Sequence, residues 1–101
     1  MDKKIEGIKI FDQYEIKKFL EPFNGEHVDL KIRDINLVDI ELKRATIEIT
    51  PNNLIFEGKD YKLDMFFMAI NFLNVDESSR IAFVTIYLKN NTSLTFAYEN
   101  I

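Results

Sequence analysis

Cysteine is absent from this sequence, and its absence removes several kinds of chemistry at once. Disulfide bonds, thiolate nucleophiles, iron–sulfur clusters and cysteine-ligated zinc sites all require it. Only one histidine, His27, is present, so nucleophilic catalysis would need that imidazole beside a serine or threonine. Ser78, Ser79 and Ser93 fall in predicted turns or at their edges, and no G-x-S-x-G motif occurs. We therefore expect a protein that is not an enzyme and that uses no cofactor or metal.

Glycine and long apolar runs are also scarce. The chain has three glycines, too few for a glycine-rich loop that cradles phosphate. Its longest apolar run, residues 65–70, is far shorter than the roughly 20 residues of a membrane-spanning helix. Residues 1–10 are charged and lack the apolar segment of a signal peptide. We expect a cytoplasmic protein that does not contact the membrane.

Neither half of the chain carries a strong excess of charge of one sign. Residues 1–50 carry 9 basic and 11 acidic side chains, and residues 51–101 carry 4 and 6. Nucleic-acid binding favours a basic face, so this balance predicts no nucleic-acid partner. The same balance argues against a strongly acidic DNA mimic.

Apolar and aromatic residues are abundant instead. They make up 47% and 13% of the 101 residues, and nine are phenylalanines. Burying each large apolar side chain stabilises a fold by roughly 1.5–3 kcal/mol, so most of them belong in a core or an interface. Residues 1–101 are expected to form a single ordered domain.

Residues 80–101 are predicted to form a β-hairpin, because β-branched and aromatic residues flank Asn90 and Asn91. A two-residue loop there pairs Lys89 with Thr92. One face of that hairpin would carry Phe83, Thr85, Tyr87, Leu94, Phe96 and Tyr98. The first arm is apolar on its other face too, which predicts a central strand covered by a layer on each side.

Residues 12–23 are predicted to form an amphipathic helix. Asp12 is placed to cap the N-terminus, with Glu15 three residues later. The core-facing stripe consists of Ile16, Phe19, Leu20 and Phe23. Pro22 and the Asn24-Gly25 pair would end the helix.

Alternating patterns predict further strands over residues 3–11, 27–35, 37–43, 54–57 and 61–63. Around Arg44 the apolar phase moves from even to odd positions, which predicts a bend or a β-bulge. Residues 64–75 fit either a strand or a helix, and we favour the strand. The expected fold class is α+β, mainly antiparallel β, with the N-terminal helix packed on a curled meander of about seven strands, barrel-like or two-layered.

Acidic side chains cluster around the predicted turn at residues 34–36. Asp34, Asp39 and Glu41 supply oxygen ligands of the kind that hard cations bind. Arg33 and Lys43 lie beside them in sequence. We therefore predict a salt-bridged, solvated edge instead of a metal site.

The apolar side chains exceed what one short helix can cover, and this excess is the main functional indication. Large exposed apolar patches mark contact sites, and Met and aromatic residues are enriched in interfaces. The residues predicted to bind a partner are Met65, Phe66, Phe67, Met68 and Tyr87.

We therefore expect a protein that works through contact with a protein partner or through self-association, for example as a homodimer. One alternative is a phage or mobile-element inhibitor of a host defence or regulatory system. Its only support is the small size of the chain and an amino-acid bias typical of AT-rich coding. A small hydrolase-like or nucleic-acid-binding domain is the other alternative.

Overall fold

The computed structural model describes residues 7–34, 36 and 39–99. Within them, eight strands form one sheet in which every pairing is antiparallel. The strands are β1 (Ile8–Ile10), β2 (His27–Arg33), β3 (Asp39–Ile49), β4 (Asn53–Glu57), β5 (Lys62–Phe66), β6 (Ile70–Asp76), β7 (Ile81–Leu88) and β8 (Ser93–Glu99). Their order across the sheet is β1-β6-β7-β8-β2-β3-β4-β5.

The sheet curls strongly but stays open. β5 lies at one edge and β6 is six strand spacings away, or about 29 Å across a flat sheet. Only the 3₁₀ turn Phe67–Ala69 joins them, and the chain from Phe66 to Ile70 spans at most about 14 Å. The sheet must therefore bend until the two strands approach each other, which gives it a concave side for the core.

The helix α1 (Gln13–Leu20) and the 3₁₀ turn Glu21–Phe23 provide the helical layer of the fold. Ile16 and Leu20 are fully buried, and Phe19 and Phe23 pack against the same core. The predicted stripe is thus confirmed. The predicted side-chain cap is wrong, because Asp12 makes no side-chain cap hydrogen bond; its carbonyl accepts one from the Ile16 N–H at 2.9 Å.

The bend or bulge predicted at Arg44 is a bulge. Val28 pairs with Ala45 and Leu30 with Leu42, so the single residue between Val28 and Leu30 opposes two residues of β3. Arg44 has φ +54°, and this left-handed residue returns the apolar side chains of β3 to the concave side.

The final hairpin forms with a register one residue away from the predicted one. Tyr87 pairs with Ser93, not with Leu94, because the loop contains the three residues 89–91. Asn91 has φ +71°, as a three-residue hairpin loop requires. A one-residue slip exchanges the faces, so the predicted grouping of side chains is wrong.

The two faces of β7 consequently have different surroundings. Val84 is fully buried and pairs with Phe96, which is 1% exposed. Phe83 is 46% exposed and Ile81 is 44% exposed on the other face. β7 is flanked by two strands as predicted, but the second covering layer is absent among the described residues, and that part of the prediction is wrong.

Residues 64–75 contain two strands separated by a turn. The preference for strand over helix is confirmed for most of the segment, but the Phe67–Ala69 turn interrupts it. The predicted strands at residues 3–11 and 37–43, and the turn at residues 34–36, fall partly outside the described residues. No helix in the described ranges is long and apolar enough to span a membrane.

Candidate protein-contact surface

A shallow groove opens where α1 passes the C-terminal end of β5. It has a volume of about 360 Å³ and is lined by Gln13, Tyr14, Lys17, Pro51, Asn52, Phe66, Phe67 and Met68. We refer to it as the α1–β5 groove. Tyr14, Phe66 and Met68 are 68%, 64% and 75% exposed. Three large apolar side chains therefore stand in solvent around one concave surface.

Hydrogen bonds hold the walls of this groove in place. The Phe67 N–H donates to the Asn52 carbonyl at 2.9 Å and fixes the 3₁₀ turn to the start of β4. Lys17 Nζ donates to the Pro51 carbonyl at 2.8 Å, and it lies 5.9 Å from the centroid of the Phe67 ring. The exposed side chains therefore project from a braced backbone.

The structure separates the residues predicted from the sequence to bind a partner. Phe66 and Met68 are exposed at the groove, whereas Phe67 is only 6% exposed and belongs to the core. Met65 is half-buried and also packs against the core. Tyr87 lies on the convex face of the sheet, so the predicted site is not one continuous surface. Alternation along β5 and the turn after it cause the split.

Tyr87 belongs to a second aromatic cluster, in which Phe11 and Tyr87 are exposed and Phe72 is half-buried. Its ring stacks on Phe72 with centroids 4.6 Å apart, and Phe72 lies 5.0 Å from Phe11. Lys9 Nζ is 5.9 Å from the Phe72 centroid. These rings cover one another in part.

Sequence reasoning missed Tyr14, which forms one side of the groove. The signal for it was available: on α1, Tyr14 falls outside the stripe that contains Ile16 and Leu20. An aromatic residue on the polar side of an amphipathic helix has no place in the core of its own fold.

His27 begins β2, as predicted, and its side chain is exposed. Its Nδ1 lies 3.0 Å from Oγ1 of Thr46, the residue directly opposite on β3. Shallow depressions around the pair are bordered by Asp29, Arg44 and Glu57. A histidine–hydroxyl pair is half of a nucleophile–base arrangement; the other half is a group that orients the imidazole through its second nitrogen. None of the hydrogen bonds among the described residues places such a group at the second ring nitrogen of His27.

Two acidic side chains around the β2–β3 turn, Asp39 and Glu41, are paired with cations, as predicted. Arg33 Nε donates to Asp39 Oδ1 at 2.8 Å and Nη2 donates to Oδ2 at 3.1 Å. The hydrogen bond from Arg33 lowers the pKa of Asp39, and the reciprocal interaction raises the pKa of Arg33. Lys43 Nζ lies 3.3 Å from Glu41. Within the described ranges, no group of three or more His, Asp or Glu side chains is arranged to hold a metal ion.

No protein-family model, no curated protein and no solved structure matches this chain.

Proposed function

We propose that this protein acts without catalysis, through protein–protein contact at the α1–β5 groove, with a second copy or another protein as partner. The exposure of Tyr14, Phe66 and Met68 around one braced groove is the observation that supports the proposal. Single exposed apolar residues are normal on protein surfaces, whereas a cluster of them marks a contact site.

The chemistry of the groove suits an apolar partner segment. Aromatic residues and methionine are enriched in the buried centres of interfaces. Covering each of these side chains contributes about 1.5–3 kcal/mol, before the cost of association is subtracted. Gln13 and Lys17 supply a polar rim beside the apolar side chains.

The double substitution Phe66→Ser and Met68→Ser tests the proposal. Sedimentation velocity at increasing concentration measures self-association, and quantitative affinity capture from cell extracts compares the proteins retained. The matched control is Ile81→Ser with Phe83→Ser, which removes two exposed apolar side chains from the convex face. We expect the groove variant to lose association that the control keeps. A monomeric wild type that retains the same proteins as the groove variant would contradict the proposal.

A further inference from the structure

We propose that β5 pairs in antiparallel fashion with β5 of a second copy of this chain, across a two-fold axis at Leu63. The inference rests on the proposed function and names the partner. Phe66 ends β5 and also lines the α1–β5 groove, so the strand edge and the groove form one continuous surface.

The outer edge of β5 is an unpaired strand edge within the described residues. β5 has five residues and ends the sheet order, whereas β1 at the opposite edge has three. An uncovered edge presents a row of N–H and C=O groups that another strand can pair with.

The apolar side chains on the concave side of the sheet are also incompletely buried at the β5 edge. On β4, Leu54 and Phe56 are both 0% exposed. Their partners on β5 are Met65 and Leu63, which are only half-buried. A further strand beside β5 would bring apolar side chains alongside them and complete their burial.

Charge complementarity selects the register. With the axis at Leu63, Lys62 of each copy faces Asp64 of the other, so two opposite-charge pairs form. With the axis one residue further along, Asp64 would face Asp64, and like charges directly opposite each other destabilise a sheet. Lys62 and Asp64 are both exposed on the convex side of β5. Asn53 Nδ2 donates to Asp64 Oδ1 at 2.6 Å, which holds the carboxylate in place.

Cysteine cross-linking reads this register directly, because the chain has no cysteine of its own. Residues directly opposite in an antiparallel pair have Cα atoms about 4.5–5.5 Å apart, which is within the range of a disulfide. We expect Leu63→Cys to form a covalent dimer under mild oxidation. Asp64→Cys, and Ile8→Cys on the β1 edge, should form little covalent dimer. Folded Leu63→Cys protein that forms no covalent dimer, or Asp64→Cys protein that cross-links more readily, overturns the proposal.

Charge exchange provides a second test that does not depend on oxidation. Lys62→Asp and Asp64→Lys each place like charges opposite each other, and each should raise the dimer dissociation constant by about tenfold. Mixing the two variants restores both opposite-charge pairs, so a heterodimer should form. This recovery also shows that both variants are folded. Asp64→Asn should weaken the dimer; if it strengthens the dimer, the axis lies at Asp64 and the proposal is wrong.

The outcomes separate this inference from the proposed function. A wild type that stays monomeric at every concentration overturns strand pairing, while partner capture by the groove still tests the function independently. Self-association that depends on Phe66 and Met68, without cross-linking at Leu63, supports the function and overturns the β5 pairing.

Discussion

The backbone N–H of Arg44 donates a 2.9 Å hydrogen bond to Oδ1 of Asp29, directly across the bulge between β2 and β3. The carboxylate satisfies a donor that the bulge removes from the regular strand ladder. Asp29→Ala should therefore lower the free energy of unfolding by about 1 kcal/mol in urea titration followed by circular dichroism. Asp29→Asn keeps an acceptor oxygen and serves as the control. Equal losses in the two variants would show that the hydrogen bond contributes little.

Arg44 itself carries a backbone strain that glycine would relieve. Its φ of +54° is unfavourable for a residue with a Cβ atom. Arg44→Gly should raise the free energy of unfolding by up to about 1 kcal/mol. Lys43→Gly, at the other bulge residue, where φ is not positive, should lower it by roughly 0.5–1 kcal/mol, because glycine loses more conformational freedom on folding. Destabilisation of similar size in both variants would argue against strain at Arg44.

Gly58 and Tyr61 form a close contact in the β4–β5 turn. A Cβ atom at Gly58 would overlap Cε1 of Tyr61, so the ring would have to move. Moving the ring would weaken or break the hydrogen bond that the Tyr61 hydroxyl donates to the Lys43 carbonyl at 3.2 Å. Gly58→Ala should lower the free energy of unfolding by about 1–3 kcal/mol.

A double-mutant cycle tests whether the Tyr61 ring causes that loss. In a Tyr61→Ala background, Gly58→Ala should cost much less, because the obstructing ring is absent. Thermal and urea unfolding of the four proteins gives the coupling free energy. Additive effects would place the origin of the destabilisation elsewhere in the turn.

Periodicity predicted those features of the fold that depend on which face a side chain occupies. The stripe Ile16, Phe19, Leu20 and Phe23 identified the helix and its buried side. The phase change predicted a bend or a bulge around Arg44, since an inserted residue moves the apolar side chains of a strand from even to odd positions. In both cases the spacing of apolar residues in the sequence is enough to predict which side chains are buried.

The register of the last hairpin could not be obtained in the same way. Asn90 and Asn91 are compatible with a two-residue or a three-residue loop, and the backbone angle of Asn91 decides between them. The first arm is apolar on both faces, so either register brings apolar side chains beside Leu94, Phe96 and Tyr98 of the second arm. The hydrophobic pattern therefore specified a hairpin but not its pairing.

Exposure of the predicted contact residues depended on tertiary structure. Whether Phe66 or Phe67 faces solvent follows from the 3₁₀ turn that ends β5, and no local signal marks that turn within an apolar run. Tyr14 joins them only because α1 lies beside β5 in the folded chain. The composition of the site was thus predictable in part, and its boundaries were not.

Two phenylalanines of the last hairpin provide a matched test of the observed register. Phe96 is 1% exposed on the concave side, and Phe83 is 46% exposed on the convex side. Phe96→Ala should lower the free energy of unfolding by about 3–5 kcal/mol, whereas Phe83→Ala should cost less than about 1 kcal/mol. Urea unfolding measures both, and Phe96→Leu replaces Phe96→Ala if the latter does not fold. Similar losses at the two positions would favour the register that places both rings on one face.

Tyr98 links the end of β8 to the β6–β7 loop, because its hydroxyl donates a hydrogen bond to Oε2 of Glu77. Burial, which includes contact with the Phe23 ring 5.0 Å away, and the Glu77 carboxylate together raise the pKa of Tyr98 to about 12. The ordinary value in an unfolded chain is about 10. The folded protein therefore holds the phenolic proton over a pH range in which the unfolded chain has lost it.

This difference makes the protein less stable in strong base. Below pH 10, Tyr98 makes its full contribution to the free energy of unfolding. That contribution is lost as the pH rises from about 10 to about 12, because deprotonation then favours the unfolded chain. Urea unfolding at a series of pH values should show the decline, and Tyr98→Phe should reduce its slope. Glu77→Gln keeps a hydrogen-bond acceptor but removes the charge, so its tyrosinate absorbance should show Tyr98 titrating at lower pH than in the wild type. An unchanged slope in Tyr98→Phe would assign the alkaline loss of stability to other groups, among them Tyr61, whose pKa is also raised by burial.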